Sequence, residues 1–225
     1  MNTVLSLGGS VLAADLDPDR FQSYGTLVAD LAADHRVGVV TGGGPTARDY
    51  IEAARELGAD ETDLDGLGVA VTRLNARLLI AAVGSSAHPT VVEEIDRARE
   101  VIRRGDVPIM GGTVAGHTTD AVAASLAEAV DADRLVLGTS VDGVYSGDPA
   151  GDDAVDKFDR IAADDLVALI ADIGLDAGSN APVDLLAAKM IQRSGIETVV
   201  CDGSDPAIVR AAATDGDHDG TIVEP

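Results

Sequence analysis

The run Gly111-Gly112-Thr113-Val114-Ala115-Gly116-His117-Thr118-Thr119-Asp120 gathers the groups that could hold an anion and act on it. Glycines let a backbone approach a ligand closely. Unpaired N–H groups at a helix start attract negative charge. Thr118, Thr119 and Asp120 are good N-cap residues, and a carboxylate there either caps the helix or organises a charged site. The run follows the apolar Val107-Pro108-Ile109-Met110 and leads into Ala121, Val122, Ala124 and Leu126, which recur with helical spacing. It is a strand-to-helix turn.

Two further turns share this build. Val4-Leu5-Ser6-Leu7 runs into Gly8-Gly9-Ser10, and Val37-Gly38-Val39-Val40-Thr41 runs into Gly42-Gly43-Gly44. Ligands of open α/β sheets sit outside the carboxyl ends of parallel strands, so three such turns would line one crevice suited to a polyanion. Arg48 lies one turn into the helix that Pro45 opens, as a solvated side chain or as a bidentate clamp on phosphate. Asp60, Glu61, Asp63 and Asp65 crowd the start of a further helix. Carboxylates there usually cap, but one could accept bonds from sugar hydroxyls. The strand Arg134-Leu135-Val136-Leu137-Gly138 empties into a polar loop from Thr139 to Pro149. Its Tyr145 either flanks a base or ribose or tucks into the core.

The elements that must position these groups alternate. Helical patterns cover Pro18 to about Ala33, Pro45 to near Gly58, Thr62 to Val83, Asp96 to Arg104, the stretch to about Val130, Asp164 to Asp172, Val183 to Ile191, and Pro206 to Ala213. Thr62 to Val83 is a core helix by default and a subunit-contact helix by its apolar length. Strands fall between the helices, with Val91-Val92 as a short one and Thr198 to Cys201 and Thr221 to Val223 as the last two. This predicts a three-layer α/β/α sandwich around a mostly parallel sheet.

The chain of 225 residues suits one such domain and is 46% hydrophobic, but only 2% aromatic, so Val, Leu, Ile and Ala must fill the core. A net charge of −23 disfavours nucleic acid and anionic membrane as partners. An acidic surface is one solution to high salt, because screening weakens its self-repulsion, and it points to a halophilic source, with an unusually acidic mesophilic protein as the alternative. Lys157 and Lys189 are the only lysines, so a phosphate site must concentrate few cations. Cys201 permits no intramolecular disulfide and reads as buried structure. With no basic leader and no apolar run of membrane-span length, the chain reads as cytoplasmic.

Several chemistries lack their residues. There is no Gly-x-x-x-x-Gly-Lys-Ser/Thr, no Gly-x-Gly-x-x-Gly after the first strand and no Gly-x-Ser-x-Gly. The four histidines, His35, His88, His117 and His218, have no zinc spacing. What remains suits phosphoryl transfer between bound phosphates, which needs positioning and charge neutralisation rather than a nucleophilic side chain.

The ordered set of motifs resembles the uridylate (UMP) kinases of the amino-acid-kinase fold, their archaeal branch above all. The matching runs are Gly8-Gly9-Ser10, Gly42-Gly43-Gly44 with Arg48, Gly111-Gly112-Thr113 through His117-Thr118-Thr119-Asp120-Ala121, and Val141-Asp142-Gly143-Val144-Tyr145 with Asp148-Pro149. Leu186-Ala187-Ala188-Lys189 and Gly216 to Thr221 match as well. The resemblance spans essentially the whole chain and implies ATP and UMP as substrates, Mg²⁺, a homohexamer built from dimers, and a step of pyrimidine nucleotide synthesis. It implies that Gly9, Ser10, Gly44, Thr139, Tyr145 and Asp148 hold ATP. It assigns UMP to Gly43, Asp65 and the run Thr113, Val114, Ala115, Gly116, His117, Thr118 and Thr119. Arg48 would touch the phosphates, and Asp120 would be the organising aspartate. An acceptor lobe would cover about 1–138 and an ATP lobe about 139–225.

One departure stands out. Many amino-acid kinases carry a lysine just before the first glycine pair, where this chain has Ser6 and Leu7, and a second lysine near Ala181-Pro182 is absent too. Charge stabilisation would then rest on Mg²⁺, Arg48 and backbone N–H groups. Two other readings accompany this one. Isopentenyl phosphate kinases share the fold but rely on a histidine near the second glycine turn, where this chain has Pro45 to Arg48. A nucleotide-binding sensor would also tolerate the missing lysines.

Overall fold

Runs of Val, Leu and Ile that break at glycine pairs make buried strands with abrupt ends, and these fix the architecture. The computed structural model describes residues 1–147, 155–173, 183–214 and 216–225. Asp148, the turn Gly178-Ser179-Asn180 and the pair Ala181-Pro182 lie outside the described residues. Strands β1 (Asn2–Leu7), β2 (Arg36–Thr41), β3 (Ile109–Met110), β4 (Arg134–Thr139), β5 (Arg160–Ala162), β6 (Glu197–Asp202) and β7 (Thr221–Glu224) form one sheet in the order β3-β2-β1-β4-β6-β7-β5. Every pairing is parallel except β6 with β7.

Helices cover both faces: α1 (Gly9–Leu12), α2 (Pro18–Asp34), α3 (Gly44–Glu56), α4 (Glu61–Val83), α5 (Ile95–Arg104), α6 (Thr119–Ala129), α7 (Ala163–Ile173), α8 (Leu185–Ser194) and α9 (Pro206–Ala213). Strand residues divide between two cores by the period of two that a pleated strand imposes. Val4, Val40, Leu135, Leu137 and Val200 pack with α5, α6, α7 and α8. Leu5, Leu7, Val39, Val136 and Val199 pack with α1, α2, α4 and α9. This is the expected three-layer sandwich. Strands buried on both faces read as unbroken apolar runs rather than alternations, which is why the sequence shows them plainly.

Three details depart from the expected elements. Val91-Val92 is no strand of its own, and Val92 makes only an isolated bridge to Met110. The short α1 and β5 are additional. Length and apolar composition would let Glu61–Ser86 cross a membrane, contrary to the expectation from the sequence. Its place in the fold argues otherwise, because Leu64, Val71, Ala76 and Leu79 are buried and Asn75, Thr72 and Arg73 bond to the glycine turns. Its other flank leaves Leu74 and Leu78 exposed. Cys201 is buried in β6, and desolvation pushes its thiol up to about 12, which leaves no thiolate for chemistry.

Candidate active site

The parallel strands bring all the glycine turns to one edge. β1 gives way to Gly8, β2 to Gly42 and β3 to Gly111, while β4 ends at Thr139 and β6 is followed by Gly203. The chain steps from β1 outward to β2 and β3, then returns to the far side of β1 with β4. The order therefore reverses at β1–β4, where the crevice of an open α/β sheet lies.

The first two turns interlock. A Cβ on Gly9 would lie 1.9 Å from the Gly44 nitrogen, and one on Gly42 would lie 2.3 Å from the Gly9 nitrogen. Gly44 sits at φ 68°, a left-handed conformation open to glycine. These glycines thus admit each other's backbone. From α4, buried Asn75 donates through Nδ2 to the carbonyls of Gly42 (2.8 Å) and Gly43 (3.2 Å). Thr72 Oγ1 accepts from the Gly112 nitrogen at 2.7 Å, and Arg73 Nε donates to the Gly112 carbonyl at 3.1 Å. One helix therefore sets the second and third turns relative to each other. Asn75 and Thr72 were not among the expected site residues, since a polar residue on a mostly apolar helix gives no sign of which loop it will hold.

The expected acceptor residues come together. The loop Thr113 to Thr118 bends at Gly116 (φ 79°), where a Cβ would lie 4.0 Å from Asp65 Oδ2. Val114 through Thr118 are exposed along this loop, and Asp65 on α4 is exposed beside it. Arg48 reaches from α3 to the first turn, its Nη1 3.4 Å from Ser10 Oγ, and no carboxylate among the described residues pairs with it.

Asp120 stands at the switch point. Ser6, paired in register with Val40 of β2 and Leu137 of β4, donates through Oγ to Asp120 Oδ1 at 2.8 Å. Loss of water pushes the Asp120 carboxyl up to about 6; the Ser6 bond opposes the shift and the negative charge of Asp184 adds to it. Asp184 reaches this place as the N-cap of α8, accepting from the Ala187 nitrogen at 3.0 Å, while Thr118 caps α6 and accepts from the Ala121 nitrogen at 3.1 Å. The Thr118 hydroxyl also donates to Asp184 Oδ2. Ser125 donates to Met190 Sδ, and Arg193 pairs with Glu128 further along, so α6 and α8 run side by side with both N-termini at the crevice. Sequence reasoning placed Asp184 inside its helix and missed the role. An aspartate before Leu185-Leu186-Ala187-Ala188 is an N-cap signal that would have flagged it.

On the β4 side, Thr139 ends its strand, with Oγ1 bonded to the backbone of Val141 and its carbonyl accepting from the Gly203 nitrogen at 2.8 Å. Tyr145 is half-buried and tied to its own loop. Its hydroxyl donates to Asp142 Oδ1 at 2.7 Å, and Lys157 Nζ donates to Asp142 Oδ2 at 3.0 Å. Lys189 is exposed on α8.

An α/β sandwich with glycine turns at its switch point and a Ser6–Asp120 pair beneath them belongs to a known class: the chain is a member of the amino acid kinase family, whose model matches residues 1–202. Among relatives, the chain is 60% identical to a uridylate kinase of Haloarcula marismortui, over 100% of this chain and 99% of that one. It is 55% identical to a uridylate kinase of Halobacterium salinarum, over 100% and 94% of the two chains. The crystal structure of uridylate kinase from Archaeoglobus fulgidus matches with a TM-score of 0.90 at 44% identity, over 99% of this chain and 100% of that one. A UMP kinase from Bacillus anthracis shares the fold, with a TM-score of 0.80 at 18% identity. The halobacterial relatives accord with the salt-adapted source that the charge predicts.

Proposed function

We propose that this chain transfers the γ-phosphoryl group of ATP to UMP, giving ADP and UDP, as a cytoplasmic step of pyrimidine nucleotide synthesis. The observation that carries the reading is Asp120, held by Ser6 at the switch point, with the Asp65–Gly116 loop on one side and the Thr139 strand end on the other. Similarity to uridylate kinases over the whole chain supports the choice of nucleotide.

In this reading the part of the chain before about residue 138 is the acceptor lobe and the part after it the ATP lobe. Gly43, Asp65 and Thr113 to Thr119 hold UMP. Gly9, Ser10 and Gly44 present backbone to the ATP phosphates, and Thr139, Tyr145 and Asp148 flank its nucleoside. Arg48 neutralises the transferred group. Ser6 fills the place of the lysine found in many relatives of this fold, so the N-termini of α6 and α8 supply positive potential in its stead. Asp120 and Asp184 offer the carboxylate oxygens that Mg²⁺ prefers, and no larger ligand cluster occurs among the described residues. That fits an ion held by one or two carboxylates and the substrate phosphates. Mg²⁺, when bound, neutralises charge on the β- and γ-phosphates.

The exposed Leu74 and Leu78 on α4 support self-association through this helix, within a homohexamer.

A coupled assay for ADP release over UMP, CMP, dUMP and isopentenyl phosphate tests the reading. UMP should be turned over fastest. Preference for isopentenyl phosphate would assign the other kinase reading, and binding without turnover of any acceptor would assign a sensor.

Asp65→Ala should raise KM for UMP and leave that for ATP unchanged. A hydrogen bond to a charged group contributes about 1.5–3 kcal/mol, so the rise should be roughly ten- to a hundredfold. Calorimetry that shows UMP binding intact would reduce Asp65 to a helix-start charge.

A further inference from the structure

The opposite, amino-terminal edge of the sheet carries two adjoining cavities that share Asn2, Arg36 and Ile102. The smaller, about 190 Å³, is lined by Arg36, Arg99 and Arg103, with Asp131 as its one carboxylate. The larger, about 420 Å³, adds Asp34, His35 and Asp106. Arg36 begins β2, and Arg99 and Arg103 lie four residues apart on α5.

None of the three guanidinium groups forms an ion pair or a hydrogen bond among the described residues, although the chain holds 39 acidic residues against 16 basic ones. Like charges at this spacing on a helix repel. Arginines near helix C-termini commonly bond the last carbonyls, but that role is filled otherwise here. Asn2 Nδ2 donates to the carbonyls of Val130 (3.2 Å) and Asp131 (3.4 Å) behind α6, and the Gly105 nitrogen donates to the Ile102 carbonyl at the end of α5. The arginines are left with open donors facing a cavity.

We infer that the smaller cavity binds the phosphoryl group of an anionic ligand, at a site separate from the reaction crevice. Guanidinium forks match phosphate oxygens bidentately, and three of them against one carboxylate leave a positive balance for a dianion. The volume suits a phosphate or pyrophosphate. The adjoining cavity gives room for the rest of a nucleotide, so the phosphoryl group is either free or the end of a larger ligand.

The test is calorimetric titration of the full-length protein, with the reaction crevice filled by saturating ADP and UMP. Pyrophosphate and UTP are the two probes, applied to the unmodified protein and to the R99Q/R103Q double variant. One further site per chain is expected in the unmodified protein, weakened at least tenfold in the variant, with UMP turnover measured without added probe unchanged. Tighter binding of UTP than of pyrophosphate assigns a nucleotide, and the reverse assigns the free anion. Arg36→Gln, on a different element, should weaken the same site. No binding of either probe in the unmodified protein, or equal binding in the double variant, overturns the proposal. So does a changed sedimentation coefficient in the variant, which would give the arginines to a contact between copies.

Discussion

Asp120→Asn should leave a folded protein that binds both nucleotides and turns over at least about a hundredfold more slowly, a loss of about 2.7 kcal/mol in transition-state stabilisation. The asparagine keeps the size and can still accept the Ser6 bond, so the change isolates the charge. Capping does not explain the residue, because Thr118 already caps α6. The carboxylate is placed at the switch point at a cost, which its raised pKa records. A folded-state pKa of about 6 above the ordinary carboxylate value means that ionised Asp120 opposes folding at neutral pH and that this opposition fades as pH falls from about 6 toward 4. The variant should therefore melt at a higher temperature than the unmodified protein at pH 7, and this gain should shrink as the pH falls through that window. The kcat/KM of the unmodified protein, which reports the free enzyme, should decline below about pH 6 as Asp120 takes up its proton, and the residual kcat/KM of the variant should lack that limb. Near-normal turnover in the variant would make Asp120 a structural residue.

The sequence and the structure agree where the physics is local. Val4 to Leu7 and Val37 to Thr41 are strands because β-branched and aliphatic residues fill both faces, and glycine pairs stop them. Pro206 to Ala213 is the helix its sequence predicts, and the structure adds the local reasons, a proline at its first position and Asp205 capping it. The glycine turns, Asp65 and Asp120 were legible as types in a pattern. What stayed hidden depends on contacts between residues far apart in the chain. Nothing in Ser6 alone announces that it meets Asp120, more than a hundred residues on. Asp184 becomes interesting only when α8 packs beside α6 and brings its cap to Thr118. The interlocking of Gly9 with Gly44 gives part of the glycine pattern a packing reason that ligand approach alone does not provide.

These long-range contacts also limit which groups can stabilise the transferred phosphate. Ser6 lends Asp120 a hydrogen bond where a lysine would lend a charge, and Lys157 is engaged by Asp142 in the β4 loop. Arg48 reaches the interlocked turns as a cation, exposed on α3, paired with no carboxylate among the described residues and 3.4 Å from Ser10. A bond of that length to a neutral hydroxyl holds the side chain only weakly, so Arg48 is free to turn onto a phosphoryl group.

Arg48→Ala should accordingly lower kcat and kcat/KM together, by roughly ten- to a hundredfold, with little change in ATP binding. A contact that strengthens as charge spreads over the transferred group contributes about 1.4–2.7 kcal/mol to the transition state alone. Arg48→Lys should recover only part of the loss, because an ammonium is a point charge without the planar fork. Removal of Arg48 should not disturb the turns themselves, since Asn75 and Thr72 bond them from α4. Steady-state kinetics with both substrates varied, beside ATP titration by calorimetry, separates the outcomes. A raised KM for ATP at constant kcat would make Arg48 a binding residue only, and unchanged values of both would place it outside the site.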